Sequence, residues 1–235
     1  MARTKRPSHG NRLLDELPRK ERQRFLAGCE LVELALGETL AKPGRRIDHV
    51  YFPTESYISI VTEMGGKQGL EVALVGNEGM LGMSLVLGIG VSPFLAVVQG
   101  AGPAWRMSAP RFRRALGTGS ALRRGLHGYL FVRMSQLGQT AGCIRFHLVE
   151  QRLARWLSMT ADRAHSKTFH MTHRLLAYIL GVRRVGVTMA ATSLQSRKLI
   201  AYKRGDIEIL DRKGLEGASC ECYGTDLATY DRILG

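Results

Sequence analysis

One glycine, Gly181, with apolar residues at helical spacing on both sides of it, constrains this chain more than any other feature. Leu176, Ala177 and Leu180 precede it, and Val182, Val187 and Ala190 follow. A small Ala177 lets two helices approach closely, and Gly181 supplies the backbone freedom for a tight turn between them. This is the pattern of a helix-turn-helix, whose second helix enters the major groove of DNA. The exposed face of that helix is expected to begin at Arg183 and Arg184. After it, residues 199–202, the turn Lys203-Arg204-Gly205-Asp206 and residues 207–210 read as strand, turn and strand. The glycine suits the positive φ of such a turn. A hairpin beside a recognition helix is a wing, and its basic tip can reach phosphates.

Charge agrees with that reading. The 235-residue chain carries a formal net charge of +14. Residues 151–213 hold 13 Lys or Arg against 4 Asp or Glu, an excess of nine. A basic face of this kind suits nucleic acid, although composition alone would also suit a membrane surface. The twenty residues 79–98 carry no charge, but Gly79, Gly82, Gly88, Gly90 and Pro93 interrupt them. Buried strands and turns are therefore expected there, and no membrane span. Four scattered cysteines do not make a disulfide scaffold, and the N-terminus lacks the apolar core of a signal peptide. The cytoplasm is the expected compartment.

From the start, residues 1–10 read as a disordered basic tail and residues 11–29 as a helical lead-in with Pro18 at a helix start. From Leu31, short runs rich in Val, Ile and Tyr alternate with Gly, Pro and Asn, as in an antiparallel barrel or jelly roll. After Pro110 the pattern becomes helical. Leu130, Leu137 and Ile144 are spaced by seven, as are Met134, Ala141 and Leu148, which together make close to three heptads of a coiled-coil seam. The expected fold class is α+β. Its parts are a β-roll sensory domain over 11–110, a central dimerisation helix over 111–165, and a winged helix-turn-helix over 166–235.

These parts, in this order, resemble the Crp/Fnr family of bacterial transcription regulators. The resemblance is carried by Pro43-Gly44 with Ile47-Asp48-His49-Val50-Tyr51-Phe52-Pro53, by Val75-Gly76-Asn77-Glu78-Gly79 and by Leu180-Gly181-Val182-Arg183-Arg184. Ile207-Glu208-Ile209-Leu210-Asp211-Arg212 and Cys220-Glu221-Cys222-Tyr223 are similar to a subgroup of it. The resemblance implies a cyclic-nucleotide-binding-like β-roll, a homodimer on double-stranded DNA with a two-fold operator, and RNA polymerase as a partner. It also implies that Thr172 touches a phosphate and that Arg184 reaches a guanine edge. With Arg183, Thr188, Lys203 and Arg204 these make the expected DNA contacts. Val185 stands where the family usually has a base-reading glutamate and Met189 where it has a second arginine, so a non-standard operator is expected.

The resemblance also bears on the effector. Members that bind cyclic AMP supply an arginine for the phosphate and a glutamate for the ribose. Here no arginine lies between Ile47 and Trp105, and Lys67 is the one lysine there. Val91-Ser92-Pro93-Phe94 occupies the arginine's region, and Met83 stands about where the glutamate falls. A signal other than cyclic AMP is expected. Iron–sulfur members cluster cysteines near the N-terminus, where this chain has only Cys29. Cys220 and Cys222 form a single Cys-x-Cys pair, short of the four ligands of a structural zinc site, so no metal and no cofactor are expected. No nucleophile–base pairing or phosphate loop points to an enzyme. The competing reading is an effector-binding module whose helix-turn-helix contacts protein; Arg183, Arg184 and the local charge weigh against it.

Overall fold

The computed structural model describes residues 10–65 and 68–235; the expected tail, apart from Gly10, and Lys67 lie outside the described residues. Two short helices, α1 (Arg12–Asp15) and α2 (Arg19–Leu26), open the chain, and Pro18 caps the second. Seven strands follow: β1 (Glu30–Leu34), β2 (Thr39–Ala41), β3 (His49–Pro53), β4 (Tyr57–Met64), β5 (Gln68–Val75), β6 (Leu95–Gly100) and β7 (Gly102–Ser108). They pair antiparallel in two sheets, ordered β1-β7-β3 and β2-β6-β4-β5. Leu34, Ile58, Val75, Ala96, Val98 and Ala104 fill the space between. The uncharged stretch 79–98 becomes a bridge to β3, a 3-10 turn at Met83–Leu87 and the start of β6. No single helix among the described residues is long and apolar enough to cross a membrane.

The helical segment expected over 111–165 is three helices rather than one. They are α3 (Ala109–Thr118), α4 (Ser120–Phe146) and α5 (Val149–Ala164). At 27 residues α4 is about 40 Å long. It buries Leu122, Leu126, Tyr129 and Val132 at helical spacing against the β-roll. The break before α5 falls at His147 and Leu148, both with extended ψ (146° and 152°). Leu148 therefore caps α5 and is not a heptad position of α4. Leu153, Ala154 and Leu157 of α5 pack into the C-terminal core with Leu176, Val187 and Leu194. That packing moves α5 into the C-terminal domain, so the expected boundary at 165/166 lies too late.

The C-terminal domain adds β8 (Thr168–His170), α6 (His173–Leu180), α7 (Arg184–Ser196), β9 (Ile200–Lys203), β10 (Asp206–Ile209), α8 (Arg212–Ala218) and α9 (Cys222–Leu234). Its small sheet has the order β8-β10-β9, so the wing gains a third strand that the hairpin pattern did not announce. Near its end, α9 lies against α4 and the β-roll. Leu234 reaches within 3.0 Å of where a Cβ on Gly128 would stand, and the Tyr230 hydroxyl donates to Glu78 O at 2.8 Å.

Polar contacts dock this domain onto the β-roll. Arg163 of α5 pairs with Glu78 at 2.7 Å and donates to Leu74 O at 3.1 Å. Trp156 Nε1 donates to the Glu71 carboxyl at 2.7 Å, and the Ser59 hydroxyl meets the other carboxyl oxygen. Part of the Glu71 side chain reaches solvent, yet desolvation of the carboxyl pushes its pKa from the ordinary 4.5 up to about 7. Such a group binds its proton more tightly in the folded chain. Its contribution favours the folded state at acid pH and is lost as pH climbs from about 4.5 to about 7. Glutamine keeps the acceptor for Trp156 and never ionises. Glu71→Gln is therefore expected to match the parent near pH 4.5 and to gain on it up to pH 8. The gain is at most about 3 kcal/mol, less as far as solvent reaches the carboxyl. Urea unfolding at pH 5 and pH 8 checks this; an equal stability difference at both would remove the assignment.

Candidate DNA-binding interface, effector cavity and cysteine cluster

Thr172 caps α6, its hydroxyl accepting from Leu175 N at 3.2 Å. Gly181 ends α6 with φ 63°, and Val182 N returns to Ala177 O at 3.0 Å. The axes of α6 and α7 then lie at 109°, within the helix-turn-helix range. Arg183 caps α7 and Arg184 is its first residue. Val187, Ala190, Ala191 and Leu194 turn inward. The outward face is Arg184, Val185, Thr188, Met189 and Thr192, all exposed. Its middle is apolar, with Val185 62% and Met189 70% exposed. Thr192 was missed in the sequence reading; its position four residues after Thr188 on the same helix was the available signal.

Thr188 is less free than its exposure suggests. Its hydroxyl lies 3.1 Å from both Arg184 O and His173 Nδ1. Burial, and then the Arg184 charge, hold the His173 imidazole below its ordinary pKa, and the ring stacks on Tyr202 with centroids 4.4 Å apart. At the wing tip Arg204 and Gly205 take φ of 53° and 98°, the two positive values of a type I′ turn. A Cβ on Gly205 would stand 2.5 Å from the His170 ring, so glycine is required there for space as well as for φ. Lys203 and Arg204 are both exposed at this turn.

On α4, Met134, Leu137, Ala141 and Ile144 are exposed, Met134 by 63%, and Leu130 is partly buried. Leu148 is exposed too, but from the cap of α5. Leu130, Met134 and Leu137 also line a cavity of about 230 Å³ between α4 and the β-roll. Its wall is mostly apolar, with Met83, Ser92, Pro93 and Phe94 on the strand side. The Ser92 hydroxyl is committed to Phe94 O at 2.8 Å. Arg133 of α4 is the one arginine among the described residues lining it, and its guanidinium donates to Gln136. The sequence expectation concerned an arginine supplied by the β-roll, whereas this one comes from a helix.

The Cys-x-Cys pair is not alone. The structure brings Cys143 and His147, on the last turn of α4, against Cys220 and Cys222 at the start of α9. All four cysteines of the chain are free thiols. A hydrogen bond from Cys220 draws the Cys143 thiol down, aided by His147 and Arg155, while Cys220 is pushed up by the same contact and by burial. The sequence count of two ligands thus becomes four in space. Cys143 and His147 at i and i+4 of a helix were the readable half of the signal.

A family profile described as a Crp-like helix-turn-helix domain matches residues 151–218, from the first turn of α5 to the end of α8. The C-terminal unit is a Crp-like helix-turn-helix domain, and the chain has the Crp/Fnr fold. A regulator assigned to the crp/fnr family from Eubacterium rectale superposes with a TM-score of 0.69 at 15% identity, over 88% of this chain and 96% of that one. The c-di-GMP responsive global regulator CLP of Xanthomonas campestris gives 0.67 at 15% identity, over 82% and 99%. FixK2 from Bradyrhizobium japonicum gives 0.65 at 12% identity, over 82% and 98%. No curated protein matches the sequence.

Proposed function

We propose that the protein is a homodimeric, sequence-specific transcription regulator that binds double-stranded DNA and answers to a signal other than cyclic AMP. The observation that carries the reading is the free outward face of α7, with Arg184 at its start and the basic wing tip formed by Lys203 and Arg204. Arg184 would give a guanine two parallel hydrogen bonds, the commonest base-specific contact in the major groove. Thr172 and Arg183, at the two helix caps, and the wing residues suit phosphates. The hydroxyl of Thr188 is engaged within the protein, so it supports the helix start more than it reads a base. RNA polymerase is the further partner that this reading expects.

Alanine at Arg184 should cost on the order of 1–3 kcal/mol on the cognate site and relax one operator position. Alanine at Lys203 or Arg204 should weaken all sequences alike and flatten the salt dependence. Genome-wide mapping of bound sites supplies the operator, and fluorescence anisotropy on operator and random duplexes reads both effects. Equal loss on both duplexes for Arg184→Ala would remove its specifying role.

The exposed row Met134, Leu137, Ala141 and Ile144 supports pairing of α4 with its copy, since three large apolar side chains at 3.5-residue spacing otherwise stand in water. Leu137→Lys with Ile144→Lys would place charges across that seam and should give monomers that bind DNA poorly. A double variant still dimeric by analytical ultracentrifugation would refute the seam.

Burying a phosphate anion without a paired cation is strongly unfavourable. The cavity offers an apolar wall, a committed Ser92 and an arginine already bonded to Gln136, which favours an uncharged or largely apolar effector. Isothermal titration with cyclic AMP should show no binding at micromolar concentration; binding there that also strengthened operator affinity would overturn this part.

A further inference from the structure

Four ligand atoms meet where α4 ends. Sγ of Cys143, Cys220 and Cys222 and a ring nitrogen of His147 all lie within 4.8 Å of one another. Cys143 Sγ stands 3.6 Å from Cys220 Sγ, and Cys222 Sγ 3.4 Å from His147 Nδ1. A tetrahedral zinc ion, with bonds of about 2.3 Å to sulfur and about 2.05 Å to nitrogen, sets its ligands about 3.8 Å apart for two sulfurs and about 3.6 Å for sulfur and nitrogen. The Cys143–Cys220 and Cys222–His147 edges are close to those of such a tetrahedron, and the remaining edges, within 4.8 Å, would close by up to about 1 Å around an ion. They are too long for a disulfide, whose sulfurs lie about 2.05 Å apart. A polynuclear iron–sulfur cluster spreads its four ligands over two or more irons, whereas here all four ligand atoms lie within 4.8 Å of one another.

We propose that Cys143, His147, Cys220 and Cys222 form a closed mononuclear site for a thiophilic divalent cation of the zinc class. The surroundings are built for it. Glu221 lies 3.0 Å from His147 Nε2, and a carboxylate there accepts the ring proton and leaves the Nδ1 lone pair facing the sulfurs. Gln139 donates its amide to Cys222 Sγ at 3.0 Å, a bond suited to a thiolate. Three thiolates around a divalent ion leave one negative charge, and the buried Arg152 guanidinium, whose hydrogen-bond partner is the neutral Leu180 carbonyl, lies close enough to Cys143 and Cys220 to offset it. All three cysteines are buried and four protein ligands complete the tetrahedron, so no position stays open for a substrate and the role is structural. The ion would clasp the end of α4 to the link between α8 and α9, across the break at His147 and Leu148. Occupancy would then fix how the DNA-binding domain sits on the long helix.

The full-length chain, purified under reducing conditions and stripped with chelator, can be titrated with cobalt(II) chloride. One equivalent per chain should produce the intense visible bands of tetrahedral thiolate-ligated cobalt, bleached by one equivalent of zinc chloride. Cys143→Ser and Cys222→Ser should abolish the bands, and Cys29→Ala should leave them intact. Should the buried serine variants fail to fold, Glu221→Gln alters only an exposed carboxylate; it should keep the spectrum and weaken binding about ten- to a hundredfold. Absence of tetrahedral bands at one equivalent in the parent chain would overturn the site. So would bands that persist in folded Cys143→Ser, or an unchanged affinity in Glu221→Gln. None of these readouts involves DNA, so the site and the regulator reading stand or fall separately.

Discussion

Three arginines buried on one helix govern how the pieces of this molecule fit together. Arg152, Arg155 and Arg163 of α5 each lose their water on folding, and a buried guanidinium left without a partner costs about 3–5 kcal/mol. Each partner lies on a different element. Arg152 donates to Leu180 O at the end of α6, Arg155 pairs with Asp226 of α9, and Arg163 pairs with Glu78 of the β-roll. The partners can all be met only when the helix-turn-helix, the C-terminal helix and the β-roll occupy one arrangement around α5. Apolar packing brings these surfaces together, and the charges choose among the ways they could slide.

How much of this was legible depended on whether a signal was local. Gly181, Ala177 and the inward positions of α7 repeat within a few residues, so the helix-turn-helix could be read directly, and so could the wing turn at Gly205. The β-roll was readable as a texture of short strands but not as a strand order, since pairings such as β1 with β7 join residues about seventy positions apart. The break at His147 and Leu148 had no proline or glycine to mark it, and heptad spacing ran through it unchanged. That is why Leu148 was placed on the wrong helix and α5 in the wrong domain. Arg133 in the cavity and Cys143 with His147 beside Cys220 escaped for the same reason. Each belongs to a site whose other members are far away in sequence.

The outward face of α7 shows a further division of labour. Its first residue is a guanidinium, whereas Val185 and Met189 present only hydrocarbon and a thioether to the groove. Such side chains can contact a thymine methyl and cannot satisfy a hydrogen-bonding base edge, so under the proposed reading those positions would discriminate by exclusion as much as by attraction. The cavity is built in a similar way, with a mostly apolar wall and Arg133 as the one arginine among the described residues lining it.

The break between α4 and α5 matters through leverage. At 16 residues α5 is about 24 Å long, so a swing of about 10° at Leu148 carries its far end sideways by about 4 Å. One base-pair step along the duplex is about 3.4 Å. In the proposed dimer, two recognition helices would meet grooves one helical turn apart, about 34 Å. Arg163, near that far end, is held to Glu78 at 2.7 Å, so such a swing would part the pair: the joint can shift by a base-pair step only if the clamp on the β-roll lets go.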